Sequence, residues 1–336
     1  MRSMERKLGR NTMKIWKIIG ASALALVPVL GCGGSSDLAS SSTTDAGATA
    51  DGPSPLSIAL SDPETDFTQT KTITMDTFVV PAGGEVYMCQ NFASPWADQV
   101  DIKTYSLQMS PGSHHMFAFY IANATDGAIE PCPNGGLQFG AFTFTSQQPQ
   151  LTETFPATVG ATIPQGTGFQ LMAHYLNAGA TDIEMTSVAL TMYVAKPGAV
   201  TQHAGVMYLN NLAVMAPPGH SVSTDSYTLP QDVSIMSSAS HMHHYGTNFV
   251  STASSGQTLY STTQWAEPPG KPYSPPLPLT SGTTISWSCT YDNTGGTLLS
   301  FGESALNNVM CISISVFFPV SDINNPVLGS SIEEAQ

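Results

Sequence analysis

The side chains best equipped for chemistry in this chain are histidines and one methionine, gathered at four places. These are Ser113-His114-His115-Met116, Ala173-His174-Tyr175, His241-Met242-His243-His244 and Val309-Met310-Cys311. Only 8 histidines occur in 336 residues, so the grouping concentrates a scarce type. Neutral imidazole is the commonest biological metal ligand. A thioether suits copper(I) but is a poor ligand for zinc or magnesium. The set reads as two separate sites, one of three imidazoles and one of two imidazoles plus a sulfur. It points to copper.

Strands must position these groups. Val188, Leu190, Met192 and Val194 alternate with polar or small neighbours, as do Ile285, Trp287, Cys289 and Tyr291, and Met310, Ile312, Ile314 and Val316. Such period-2 runs, broken by Pro81-Ala82-Gly83-Gly84, Asn134-Gly135-Gly136, Pro217-Pro218-Gly219 and Thr294-Gly295-Gly296, argue for antiparallel sandwiches or jelly rolls. In the run through Val233, Ile235, Ala239, His241, His243 and Tyr245, the i and i+2 imidazoles share a face and can reach one ion. Met242 and His244 then face away. Adjacent His114 and His115 would point to opposite faces of an ideal strand, so they can serve one ion only if the backbone turns or bulges there. Pro111-Gly112 supplies an irregularity just upstream. His174 closes an apolar run from Phe169 to Leu176. His203, His220 and His244 are read as structural.

The ends of the chain bound its class. Six basic residues (Arg2, Arg6, Lys7, Arg10, Lys14, Lys17) precede an apolar stretch, Ile18 to Leu30, and Val29-Leu30-Gly31-Cys32 follows. This is the pattern of a secretory signal over residues 1–31, too short for a membrane span. The cysteine after Val-Leu-Gly resembles a bacterial lipobox, with Cys32 acylated and the chain held at a membrane surface by lipid. Residues 32–55 are then a lipidated tether of Ser, Thr, Ala, Gly and Asp with little to bury. The folded part is expected as two β-sandwich domains, 56–196 and 197–330, parted at Lys196-Pro197-Gly198. Past the leader, four lysines (Lys71, Lys103, Lys196, Lys271) and no arginine face 23 acids, a formal net charge of −19. Such a chain is excluded from binding nucleic-acid phosphates and favours cationic or neutral molecules. Besides Cys32 the chain has Cys89, Cys132, Cys289 and Cys311, an even set that suggests two disulfides in an exported protein. Three connectivities exist in principle; one pair in each half, 89–132 and 289–311, is the economical one.

Taken in order, His-His-Met, His-Tyr, His-Met-His-His and Met-Cys, the motifs resemble the copper type II, ascorbate-dependent monooxygenases. That family includes the peptidylglycine α-hydroxylating and dopamine β-monooxygenases, and the resemblance covers roughly Asp66 to Val320. It implies two jelly-roll sandwiches facing each other across a solvent-filled cleft, each carrying one copper. By this resemblance His114, His115 and His174 hold the first ion, which stores an electron. His241, His243 and Met310 hold the second, which activates dioxygen against a substrate C–H bond. Cys289–Cys311 matches the bridge beside the methionine ligand, and Tyr87-Met88-Cys89 resembles the start of a first-domain bridge. Two copper ions, dioxygen, and ascorbate or a similar small reductant are the implied cofactors and co-substrates. The expected protein is a monomeric, exported lipoprotein, periplasmic or on the cell-surface face of the outer membrane, that hydroxylates a small organic molecule. The alternative from another class is a non-catalytic copper-binding lipoprotein that sequesters or transfers the metal. Two departures bear on the substrate. Ala239 stands where the peptide-amidating members carry a carboxylate-binding arginine, and Ile312 where they carry an asparagine, so a peptide carboxylate would lack a bidentate partner. Met172 stands where a polar Gln or Glu is expected near the third histidine.

Overall fold

The computed structural model describes residues 67–329 apart from 111, 134–139 and 186–187. The expected leader, the tether and Cys32 lie outside these residues.

Among the described residues the chain is all-β with no α-helix, and its strands form two sandwiches in succession, as the alternation implies. One sheet of the first sandwich orders Phe67–Thr74, Ala189–Ala195, Val100–Gln108, Val159–Ile163 and Gln202–His203, with Gln150–Thr154 also on Val100–Gln108. Its partner sheet orders Glu130–Pro131, Glu85–Phe92, Thr167–Leu176, Ser113–Ala122 and Phe142–Ser146. In the second sandwich one sheet orders Lys271–Leu279, Val233–Met242, Cys311–Phe318, Gly205–Asn210 and Val327–Leu328. The other orders Gly219–Thr228, Thr284–Asn293, Gly246–Ala253 and Thr258–Thr262.

Alternation decides which side chains meet. On Ser113–Ala122, Met116 and Ala118 enter the first core, while Phe117 and Phe119 leave by the other face. On Thr167–Leu176, Phe169, Leu171, Ala173 and Tyr175 enter that core and Met172 faces away. Strands buried on both faces read as near-continuous apolar runs, which both segments are. The outward set does not meet water. Phe117, Phe119, Phe142 and Met172 pack on Val206, Ile312 and Ile314 of the second sandwich as one apolar cluster. Phe142 meets Tyr208 edge-on at 5.6 Å across this seam, and an aromatic pair of this kind contributes about 0.5–1.5 kcal/mol beyond its buried area. Where the resemblance implied a solvent-filled cleft, the sheets meet through packed side chains.

The boundary expected at Lys196-Pro197-Gly198 lies further on. A turn does form there, closed by the Ala199 amide on Lys196 O at 3.0 Å. Gln202–His203 nevertheless pairs in parallel with Val159 and Gly160 of the first sandwich, and the second begins at Gly205. A Cβ at Gly205 would stand 2.0 Å from Pro326 O, so only glycine allows the close approach that starts the new sheet.

Cys89 is bonded to Cys132, and Cys289 to Cys311, the economical pairing. The second bridge crosses the core of its sandwich from Thr284–Asn293 to the first residue of Cys311–Phe318. Peptide mapping under non-reducing conditions should recover these two linkages. Replacing Cys289 and Cys311 together by serine should lower stability by about 2–4 kcal/mol, read as a shifted denaturant midpoint.

Candidate metal centre

Two irregularities in the ladders bring the histidines together. His174 pairs with His115, but the next residue, Tyr175, pairs with Ser113, so His114 is an extra residue in its strand. This is the β-bulge that two adjacent imidazoles need in order to turn to one side. The His114 and His115 ring centroids are 5.2 Å apart, and His174 lies 5.0 and 4.9 Å from them.

A second register shift lies between Ile235 and Ser237. Upstream of it Val233 and Ile235 enter the second core; downstream Met242 does. The shift therefore inverts the parity, and His241 does not share a face with Val233 and Ile235, which corrects the single-parity reading. Without that inversion His241 would point into its own sandwich. Instead it faces the first one, and its ring stands 4.7 Å from His114 and 5.1 Å from His115. His243 follows the end of the strand, 5.1 Å from His241 and 5.7 Å from His114.

The five rings thus form one group. His114, His115 and His241, from both sandwiches, offer nitrogens that all lie within 4.8 Å of one another. The two expected ligand sets therefore lie side by side rather than parted by a cleft: the apolar seam closes the space between the sheets and carries both sets into contact. All five histidines are buried, His174 and His243 completely. Met310 precedes Cys311, whose ladder partner is Met242, so it stands level with His243 on the neighbouring segment. Its carbonyl accepts the Tyr291 hydroxyl at 2.8 Å, and the disulfide at Cys311 holds the next residue. Of the histidines read as structural, His220 bonds Asp292 at the surface, His203 bonds Thr162, and His244 lies against Trp265.

Several neighbours of the cluster escaped the sequence reading. Glu85 Oε1 lies 2.8 Å from His174 Nε2. Tyr87 stacks on the His174 ring with centroids 3.8 Å apart and planes at 17°, and its hydroxyl donates to Glu303 O. Gln147 reaches His241 at 2.6 Å. Trp265 meets His114 edge-on at 5.7 Å. Glu85 shares strand parity with Tyr87 and Cys89, a polar residue opening a buried face, which is a usable signal. For Gln147, at the end of a loop-bound strand, the sequence carries none.

Removal from water dominates the electrostatics. It lowers His114 from 6.5 to about 4 and His243 to about 3. His115, His174 and His241 are held well below the usual histidine range by burial first and by neighbouring imidazoles second. Charging one ring would oppose charging the next, so the cluster is neutral at physiological pH. Neutral rings keep a lone pair for a metal. His114 Nδ1 and Nε2, His115 Nδ1, His241 Nε2 and His243 Nε2 are buried without a hydrogen-bond partner. An orphaned buried nitrogen costs about 1–3 kcal/mol. Each neutral ring carries one N–H and one lone pair, and converging imidazole lone pairs are a donor set that a transition-metal cation, copper among them, would satisfy.

Because an unfolded chain protonates these rings near 6.5 and the folded one does not, unfolding takes up protons below that value. Stability of the metal-free protein should be full above about pH 6.5 and fall as pH drops toward the lowered values. Each ring removes up to about 1.4 kcal/mol per pH unit in that window. Denaturant midpoints measured between about pH 7.5 and pH 5 should decline steeply, and a flat profile would contradict neutral burial.

No protein-family model matches the chain, and no curated protein matches it in sequence. Among solved structures it is similar to the major capsid protein P2 of bacteriophage PM2, at 9% identity over 76% of this chain and 100% of that one, with a TM-score of 0.35. The PBSX exported protein XepA aligns at 11% identity over 73% of this chain and 86% of that one, with a TM-score of 0.19. The infectious bursal disease virus VP2 subviral particle aligns at 11% identity over 76% and 73%, with a TM-score of 0.18.

Proposed function

We propose that this chain is a copper-dependent monooxygenase that hydroxylates a C–H bond of a neutral or cationic small organic molecule, using dioxygen and a reductant such as ascorbate. The observation that carries the reading is the cluster of five buried imidazoles, four of them with an unpartnered nitrogen, and Met310 level with His243 on the neighbouring segment. His114, His115 and His174 would hold one ion, and His241, His243 and Met310 the other. Copper so held would supply one-electron chemistry and dioxygen activation. The chain's own contributions are positional. Glu85 and the stacked Tyr87 hold the plane of His174. The Cys289–Cys311 bridge and the Tyr291 hydroxyl hold the backbone at Met310. The aromatic seam around Phe117 excludes water from the ligands.

The substrate class follows from what surrounds the rings. Ile312 is completely buried and Met172 nearly so, both in the apolar seam, and neither can pair with a carboxylate. Lys103 bonds Pro156 and Val159 carbonyls, and Lys271 bonds Leu259 O. A neutral or cationic substrate suits such a site; an anion does not. Export and acylation at Cys32 belong to the same proposal.

A second reading, a non-catalytic copper carrier, is favoured by the grouping of His114, His115 and His241, which could enclose a single ion. Anaerobic copper(I) titration followed by oxygen-electrode measurement with ascorbate separates the two. The enzyme should take up two copper ions per chain and consume dioxygen coupled to product. Met310→Ala should abolish that coupled uptake while His114, His115 and His174 still bind. One tightly held ion, with no oxygen consumption above free copper, would decide for the carrier.

A further inference from the structure

Gln147 belongs to the first sandwich, one residue past Phe142–Ser146, yet both ends of its buried amide engage the second. Its Nε2 donates to the Ser240 carbonyl at 2.6 Å, and its Oε1 lies 2.6 Å from His241 Nδ1. A carbonyl oxygen only accepts, so the NH₂ end must face Ser240 and the amide cannot be flipped. Oε1 is therefore the acceptor, and His241 Nδ1 must carry the proton. A neutral imidazole has one N–H, so the lone pair is left on Nε2. That nitrogen has no hydrogen-bond partner and belongs to the histidine group that spans both sandwiches.

The first sandwich's own ligand shows the reciprocal arrangement. Glu85 Oε1 accepts from His174 Nε2 and also from the Ala305 amide at 2.6 Å, and its Oε2 accepts the Ser304 hydroxyl at 2.7 Å. Ser304 and Ala305 come from the second sandwich. A carboxylate only accepts, so His174 protonates at Nε2 and turns the Nδ1 lone pair toward His115, whose Nε2 is 3.2 Å away. A ligand's second nitrogen, once committed to such a partner, fixes which nitrogen can bind metal.

We infer that Gln147 and Glu85 are positioning residues through which docking of the two sandwiches sets the tautomers of His241 and His174, so that the copper ligand set is complete only in the docked chain. This rests on the metal-centre reading above and adds the groups that prepare it. It gives the two domains a shared task that neither could perform alone: the residue that orders the second sandwich's ligand is carried by the first, and the carboxylate that orders the first sandwich's ligand is clamped by the second.

The test needs no metal. Long-range proton–nitrogen correlation spectra of the nitrogen-15-histidine-labelled, metal-free full chain should show His241 protonated at Nδ1 and His174 at Nε2. Wild-type His241 protonated at Nε2 would overturn the inference outright, whatever the variants do. Gln147→Met, close in volume but without an acceptor, should shift His241 to the Nε2–H form or a mixture. It should also weaken copper(I) binding at one of the two sites by about 10–100-fold in chelator competition. Gln147→Glu keeps an acceptor for Nδ1 and should restore the tautomer and most of the affinity. Weakened affinity with an unchanged tautomer in Gln147→Met would assign Gln147 a merely structural role and overturn the proposal. Expected tautomers in a chain that binds no copper would instead refute the copper reading and leave the positioning roles standing.

Discussion

Five imidazoles held out of water are a constraint that the rest of the molecule has to meet. Five of their nitrogens have no hydrogen-bond partner among the described residues. At about 1–3 kcal/mol each, the accumulated cost is of the same order as the net stability of an ordinary domain. Protonation offers no relief, because a charged ring in this environment would cost more than an orphaned one. The arrangement therefore demands a large apolar contribution elsewhere, and a metal cation held by the lone pairs, as proposed, would relieve part of the deficit. A ligand that binds only the folded, docked form stabilises that form by mass action. The chemistry of the cluster and the cohesion of the two sandwiches are in this sense one problem.

The apolar contribution comes from the seam. Phe117, Phe119, Phe142 and Met172 on one side and Val206, Ile312 and Ile314 on the other lie on strands whose opposite faces are already committed to the two cores. These sheets are thus buried on both faces, and separating them would expose aromatic surface along with the histidines. Hydrogen bonds cross the same seam. Ser237 donates to Glu153, a half-buried carboxyl whose pKa is raised by desolvation, and Gln147 and Glu85 cross near the rings. Polar contacts of this sort add register rather than raw stability, since their donors and acceptors are lost to water in exchange. They explain how two sheets with largely apolar faces dock in one alignment.

Much of this was legible beforehand, for a physical reason. Period-2 alternation at Leu190, Met192 and Val194, or at Ile285, Trp287 and Cys289, is written by the requirement that one strand face meet a core, and it gave the all-β class directly. The disulfide pairs followed from one pair of cysteines per half. The doublet His114-His115 announced its own bulge, because no regular strand turns two neighbours to one side. Other features were not legible. The shift after Ile235 leaves no mark in composition, and this single bulge inverts the facing of Val233 and Ile235 relative to His241. The true start of the second sandwich at Gly205 is set by close approach to Pro326, a contact with a residue far along the chain. Gln147 matters only because a strand from another sheet passes beside it. Tertiary register, not local propensity, decides all three.

The proximity of the two ligand sets bears on the substrate class of the proposed function. Had each set faced its own half of an open cleft, substrate selectivity would depend on side chains scattered over two walls. With the rings in one group, any organic molecule brought to them meets the seam residues, Trp265 and the backbone of the 303–308 segment, which are apolar or offer carbonyl oxygens. Glu85 is the formal charge beside the rings, and its oxygens are already held by His174, Ala305 and Ser304. Under the proposed function these acceptors and aromatic faces would favour donors and cations and leave a carboxylate without a partner. The chain carries no arginine beyond Arg10, and the same bias appears in the −14 formal charge of the whole sequence. In that reading site and surface would disfavour anions for the same electrostatic reason.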